Sequence, residues 1–322
     1  MTTVVVAHES YIISKLETDA FQAIGATVAQ TGNLETKEAR QAARAADALM
    51  VTIQTVDSAL INSLARCKII ARVGTGLDAI DIPAATARGI WVTNVADYSI
   101  DEVSTHAIAL LLNQARRLPK MFASVRAGAW YDANAIEPAP RLQGQLLGII
   151  GYGRIGRTVA VKARGLGLAV VVYDPFIEIE AARDSVKQVD LDTLLARADF
   201  ISLHTPLSES SRHIINAASL DKMKPSAYLI NTARGELVDE SALLAAVQSE
   251  SIAGAALDVL SIEPPPPDFP LLHDERITIT PHAGWYSEAS KQDVRVKAIE
   301  DVARVLTGNA PRSPVNDPMG NL

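Results

Sequence analysis

An arginine, a carboxylate and a histidine each stand just past an apolar run in the second half of this chain. Asn231-Thr232-Ala233-Arg234-Gly235 holds the arginine. Leu257-Asp258-Val259 leads through Ser261 and Ile262 to Glu263 and four consecutive prolines, 264–267. Pro281-His282-Ala283-Gly284-Trp285 holds the histidine. Such a set suits redox chemistry on a carbonyl acid. Hydride transfer to a 2-oxo acid makes an alkoxide that must take up a proton, and a protonated imidazole supplies one near neutral pH. A carboxylate beside the ring holds its orientation and favours the charged form. A guanidinium forks across a substrate carboxylate and polarises the carbonyl as charge develops. Gly74-Thr75-Gly76, after the expected strand 69–73, offers backbone N–H groups for the other side of that carboxylate.

The electron carrier is indicated by Gly151-Tyr152-Gly153-Arg154-Ile155-Gly156. This G-x-G-x-x-G turn follows the apolar run 146–150 and precedes residues of helical composition, 158–164. A second apolar run, 169–173, ends in Asp174. Strand, glycine turn, helix, strand and terminal acid in this order form a dinucleotide-binding signature. The glycines allow the tight turn, the approach of a pyrophosphate and close packing of helix on strand. The helix N-terminus presents N–H groups to the phosphates. Asp174 is placed to accept hydrogen bonds from ribose hydroxyls and to repel a 2′-phosphate, which favours NAD over NADP.

These residues need a scaffold that gathers strand ends on one rim. Short β-like runs near 4–7, 27–29, 48–52, 69–73 and 91–93 alternate with helical patterns such as 19–24 and 36–44. A long helical stretch covers 99–117. Further strands are expected near 200–204, 228–231, 255–259 and 277–280, and a last helix at about 287–306. The alternation predicts a parallel α/β fold, with ligands bound beyond the carboxyl ends of the strands. Two units are expected: a nucleotide-binding unit at 99–287, inserted in a substrate unit made of 1–98 plus 288–322. Segment 118–145, with its prolines and glycines, reads as an excursion in which Trp130 packs.

The 322 residues suffice for two cored domains, and 48% hydrophobic with 21% charged residues is a globular composition. A net charge of −7 offers no basic patch for nucleic acid and no cationic face for a membrane surface. The single cysteine, Cys67, reads as a small buried residue. No apolar run reaches the roughly 18 residues of a membrane span, and the N-terminus has no signal-peptide pattern. The expected location is the cytoplasm. Among six histidines, none shows metal-ligand spacing, so no metal is expected.

With these motifs assembled, the chain resembles the D-isomer-specific 2-hydroxyacid dehydrogenases over nearly its full length. The resemblance rests on Arg72-Val73-Gly74-Thr75-Gly76-Leu77-Asp78, the glycine fingerprint, Asn231 to Asp239, Ala256-Leu257-Asp258-Val259 and Pro281-His282. It implies two doubly wound domains with a hinged cleft, and a homodimer formed through the nucleotide domain. It also implies that Arg234 anchors and polarises the substrate, that His282 is the acid/base and that Glu263 pairs with it. Asp258 would contact the nicotinamide carboxamide. Arg154 and Ile155 would line the pyrophosphate, Thr232 and Ala233 the nicotinamide side. Segments 97–103, 263–268 and 282–288 are similar to the branch containing the C-terminal-binding-protein corepressors. A rival reading is therefore an NAD(H)-sensing interaction protein with little turnover. Formate dehydrogenases resemble the family but have glutamine where Glu263 stands. A chain ending at 322 is expected to lack the regulatory domain of long phosphoglycerate dehydrogenases.

Other residues keep two readings. His204, followed by Thr205, is either structural or a neighbour of the cofactor. His106 reads as a packing residue of the 99–117 helix. Tyr98 and Trp285 are either packing residues or an apolar wall of the substrate site. The prolines read as a stiff spacer carrying Glu263. Apart from Arg234 and Arg72, no cationic cluster lies near the motif loops, so an unphosphorylated 2-oxo acid of small to medium size is expected.

Overall fold

The alternating runs fold into two parallel sheets, one in each of two units: Met1–Ser99 with Ser287–Leu322, and Ile100–Tyr286. The computed structural model describes residues 1–8, 11–178 and 186–320. Positions 9–10 and 321–322 of the expected substrate unit lie outside the described residues.

The first unit holds β1 (Thr2–Ala7), β2 (Ala26–Thr31), β3 (Ala48–Val51), β4 (Ile69–Arg72) and β5 (Trp91–Thr93) in the order β2-β1-β3-β4-β5. All pairings are parallel. Its central strands read as continuous apolar runs because both faces of the sheet are covered. On one face Val5, Leu49 and Ile70 pack with Leu60 and Ile61. On the other, Val4, Val6 and Met50 meet Phe21 and, from the helix Glu288–Leu306, Val294, Ala298 and Val302. That helix is held by a buried carboxylate. Glu17 accepts from Arg295 Nε at 2.6 Å, the Tyr11 hydroxyl at 2.7 Å and the Ser14 N–H at 2.9 Å. Burial alone would raise its pKa, but these donors outweigh burial and bring it down to about 2. The helix expected at 19–24 forms at Lys15–Gln22, because Ser14 and Glu17 make a capping box that starts it earlier.

The second unit holds β6 (Leu146–Ile150), β7 (Ala169–Tyr173), β8 (Lys187–Gln188), β9 (Phe200–Leu203), β10 (Tyr228–Asn231), β11 (Gly254–Leu257) and β12 (Ile277–Ile279). Their order is β12-β11-β10-β9-β6-β7-β8. All pairings are again parallel. This is a doubly wound Rossmann-like sheet whose strand order reverses between β6 and β9, where such folds bind dinucleotides. The helices Ile100–Ala115 and Arg154–Gly165 cover one face through Ala107, Leu111, Val159 and Ala163. Leu194, Leu195, Leu243 and Val247 cover the other.

Segment 118–145 departs from the sequence reading. It contains the helices Leu118–Arg126 and Ala133–Ile136. Pro119 falls in the first turn, where its missing N–H breaks no helical bond. Trp130 does not pack: it is 91% exposed, and Phe122, Val125 and Tyr131 are also exposed. The helix Leu118–Arg126 buries no residue of its own, so it offers Trp130 no core.

Candidate active site

The carboxyl ends of β6, β7, β9, β10, β11 and β12 carry, in turn, Gly151, Asp174, His204, Thr232, Asp258 and Thr280. At the glycine turn, Gly151 has φ of +91°, and a Cβ there would lie 2.5 Å from Thr205 N and 2.6 Å from the His204 carbonyl carbon. A Cβ at Gly156 would lie 2.2 Å from Gly151 O. Both contacts are with backbone, which cannot give way. Gly153 caps the helix Arg154–Gly165, and a Cβ there would meet nothing within 4 Å. Asp174 is buried; its Oδ2 accepts from Tyr152 N at 2.8 Å and its Oδ1 from Phe176 N at 3.0 Å. It therefore ties the glycine turn to the end of β7. Arg154 is exposed and Ile155 half-buried in the first helical turn.

His204 Nε2 lies 2.8 Å from Ser202 Oγ. Burial lowers its pKa to about 3, so the ring is neutral throughout the physiological range. In the next loop, Asn231 shapes the chain by accepting from Ala233 N at 3.0 Å and donating to Arg234 O at 2.8 Å. Arg234 donates to Ala233 O at 2.7 Å. This loop abuts the one bearing Glu263: a Cβ at Gly235 would lie 2.0 Å from Leu260 C.

Glu263 and His282 meet as the sequence reading anticipates, with His282 Nδ1 2.6 Å from Glu263 Oε2. The other carboxylate oxygen, Oε1, accepts from Leu260 N at 2.8 Å. Burial raises the Glu263 pKa, but the hydrogen bonds from His282 and Leu260 outweigh it and leave the carboxyl below its ordinary range. With Nδ1 directed to Glu263, Nε2 is the nitrogen available to a substrate, and the imidazole is 45% exposed. His282 adopts φ of +51°, a costly conformation for a non-glycine residue. It is held there by its N–H, which donates to Asp258 O at 2.8 Å.

Asp258 does more than the sequence reading assigns to it. Its carboxylate is buried and accepts from Thr280 Oγ1 at 2.5 Å, Ala283 N at 3.0 Å and Gly284 N at 2.8 Å. His106 completes the set: its Nε2 lies 2.9 Å from Thr280 Oγ1 and 3.3 Å from Asp258 Oδ1. His106, expected to pack, thus also makes a polar contact at a strand end. Nothing in an apolar helix pattern marks a histidine that reaches a strand end 174 residues away. Trp285 stands edge-on to Tyr286, ring centroids 5.5 Å apart.

The remaining candidates belong to the first unit. Arg72 donates to Val73 O and Gly76 O, drawing the 73–76 loop around its guanidinium. The Gly74 N–H donates to Arg72 O at 3.0 Å. Thr75 and Gly76 keep their amides unengaged within the described residues of that unit. The Thr75 hydroxyl donates to Val95 O at 3.1 Å. Tyr98 packs, half-buried, against the cluster that includes Val294 and Val302.

The second unit fits a dinucleotide on two observations. The space before Gly153 is open at a helix N-terminus, where phosphates are favoured. Among the described residues, Thr232 Oγ1 is a buried polar atom with no hydrogen-bond partner, at the end of β10 on the rim where such sheets bind their ligands. Residues 108–284 match the family described as D-isomer specific 2-hydroxyacid dehydrogenase, NAD binding domain. The cofactor of this domain is NAD. The chain is 39% identical over 274 residues to a D-3-phosphoglycerate dehydrogenase of Archaeoglobus fulgidus, an alignment covering 84% of this chain and 52% of the relative. It thus spans about half the length of that curated relative. Among solved structures it is similar to the TT0316 protein of Thermus thermophilus, with a TM-score of 0.89, 32% identity, and 98% and 100% of the two chains covered. It is also similar to a D-lactate dehydrogenase of Aquifex aeolicus complexed with NAD and lactic acid, with a TM-score of 0.87, 28% identity, and 95% and 96% covered. Half of this chain and more lies within the matched region, and the chain belongs to the D-isomer-specific 2-hydroxyacid dehydrogenase family.

Proposed function

We propose that this protein is an NAD-dependent oxidoreductase that interconverts a D-2-hydroxy acid and its 2-oxo acid. The observation that carries this reading is the His282–Glu263 pair, 2.6 Å apart, with the second Glu263 oxygen fixed by Leu260 N–H. Bound NADH supplies the hydride to the carbonyl carbon. His282 gives a proton from Nε2 to the carbonyl oxygen, so that 2-oxo acid, hydride and proton together make the hydroxy acid. Glu263 stabilises the imidazolium before transfer and keeps Nε2 pointed outward. Arg234 forks across the substrate carboxylate and polarises the carbonyl. In the oxidative direction neutral His282 accepts the hydroxyl proton.

The proposed cofactor contacts are Gly151, Gly153, Arg154, Ile155 and Gly156 at the pyrophosphate and Asp174 at the ribose. His204, Thr205, Thr232, Ala233 and Asp258 are assigned to the nicotinamide side. The Thr75 and Gly76 amides, with Tyr98 and Trp285, are the proposed further substrate contacts. For the substrate itself we favour an unphosphorylated acid, because the Arg72 guanidinium is bonded within its own loop. A second reading, a 3-phosphorylated 2-oxo acid, is supported by relatives that carry the name D-3-phosphoglycerate dehydrogenase. The exposed Phe122, Val125, Trp130 and Tyr131 support a homodimer in which a second copy covers this part of the nucleotide unit. The cytoplasm is the proposed location.

The test is NADH oxidation with purified protein against glyoxylate, hydroxypyruvate, 3-phosphohydroxypyruvate, and branched and aromatic 2-oxo acids. Turnover of an unphosphorylated acid with the highest kcat/KM is the expected result. Preference for 3-phosphohydroxypyruvate would transfer the assignment to the second reading. Binding of NADH with no turnover of any acid would favour the NAD(H)-sensing reading.

A further inference from the structure

We infer that His106 is a positioning residue for the acid/base loop, acting through Asp258 and Thr280. This inference rests on the assignment of His282 as the acid/base. The loop 280–284 makes four of its hydrogen bonds to one residue, Asp258. Asp258 accepts the Thr280 hydroxyl and the Ala283 and Gly284 amides on its carboxylate, and the His282 amide on its carbonyl. All four donors come from the loop itself, so the loop's position depends on that of Asp258, beside the Thr280 N–H bond to Leu257 O and the His282–Glu263 pair. The donor from outside the loop is His106, borne on the helix Ile100–Ala115. With Nε2 protonated, it donates toward the Thr280 hydroxyl and Asp258 Oδ1, while the Thr280 hydroxyl donates its own hydrogen bond to Oδ1.

The imidazole also sets the depth of the loop. A Cβ at Gly284 would lie 2.8 Å from Asp258 Oδ2 and 3.2 Å from His106 Cδ2. Gly284 is therefore pressed against the ring and the carboxylate together. A loop displaced at Gly284 would carry His282 with it, two residues away. Burial raises the Asp258 pKa, and the hydrogen bonds from His106, Thr280 and the two amides outweigh it, so its carboxyl lies below the ordinary range. The titratable groups around Asp258 are His106 from the helix, His282 from the loop and Glu263 from the turn after β11; the Glu263 charge and the Asp258 charge repel. Losing the His106 donor removes support from the ionised Asp258. Its protonation, and the slackening of the loop, then occurs at a higher pH.

The experiment compares His106→Phe, His106→Gln and Thr280→Val with the wild type and with His282→Ala. His106→Phe keeps a ring but loses the donor, and is expected to lower kcat about ten-fold. Its NADH dissociation constant should stay within about two-fold of the wild type, and the acid limb of its kcat profile should move to higher pH. His106→Gln keeps a donor at similar reach and is expected to restore most of kcat and the wild-type acid limb. Thr280→Val removes one hydroxyl from the same network and should shift the limb in the same direction, which keeps the test open if His106→Phe fails to fold. Wild-type kcat and pH profile in both His106→Phe and Thr280→Val would overturn the inference. So would equal losses in His106→Phe and His106→Gln accompanied by lower thermal stability, since that marks packing alone. If His282→Ala itself retains full turnover, the acid/base assignment fails rather than the role of His106.

Discussion

Replacing Glu263 with glutamine removes the charge beside His282 while leaving a side chain of the same shape. A charge-assisted hydrogen bond contributes roughly 1.5–3 kcal/mol net. The pair is partly open to water, with His282 45% and Glu263 35% exposed at the side chain, so screening places it at the lower end of that range. About 1.4 kcal/mol is one pH unit in an ionisation equilibrium. Glu263→Gln should thus weaken the preference for the charged over the neutral ring by roughly that amount. Reduction of the 2-oxo acid needs the imidazolium, so its high-pH limb should move down by about one pH unit, and above that limb the rate should fall about ten-fold. Oxidation of the hydroxy acid needs the neutral ring, so its low-pH limb should move down by a similar amount and its rate at mildly acid pH should rise. The assay is NADH absorbance in both directions across a pH series, with NADH affinity measured in parallel. Opposite effects in the two directions are the signature of a lost charge. Profiles that stay in place, or that fall equally in both directions, would refute the pairing as the basis of proton transfer.

Three further outcomes follow from other parts of the molecule. The wild type should prefer NAD(H) to NADP(H) by about ten-fold or more, for which about 1.4 kcal/mol suffices. Asp174→Ala should narrow that gap, and equal efficiency of the wild type with both cofactors would contradict the role given to this carboxylate. Arg234→Lys should lower kcat/KM sharply with cofactor affinity unchanged, because an ammonium lacks the planar fork; near-normal turnover would assign the anchor to another cation. In the first unit, the Glu17 side chain is fully buried and its carboxyl is depressed from 4.5 to about 2, which corresponds to about 3 kcal/mol of stability. A depressed acid contributes fully above its unfolded value and loses that contribution as pH falls through the folded one. Urea unfolding should therefore show Glu17→Gln less stable at neutral pH and with a flatter stability profile between about pH 5 and 2; an unchanged slope would show that the charge does not matter there.

The sheets are legible in the sequence because parallel strands buried on both faces appear as unbroken apolar runs, as at Val4 to Ala7 and Leu146 to Ile150. The glycine turn is legible because backbone contacts forbid a Cβ at Gly151 and Gly156. The short β8 escapes such a reading, since its exposed Lys187–Gln188 has neither apolar content nor alternation. The helix Leu118–Arg126 escapes it because a proline reads as a breaker, whereas in the first turn it starts the helix. At the candidate site, Glu263 and His282 stand out through their motifs. His106, and the Glu17–Arg295 pair joining residues 278 apart, depend on tertiary approach that no local pattern encodes.

His282→Ala tests most directly whether His282 is the acid/base. Single-turnover reduction with bound NADH isolates the chemical step from product release. Removal of the imidazole should slow that step by roughly 10²-fold or more, while the NADH dissociation constant stays within about two-fold of the wild type. A step rate within a few-fold of the wild type, with NADH bound normally, would show that another group moves the proton.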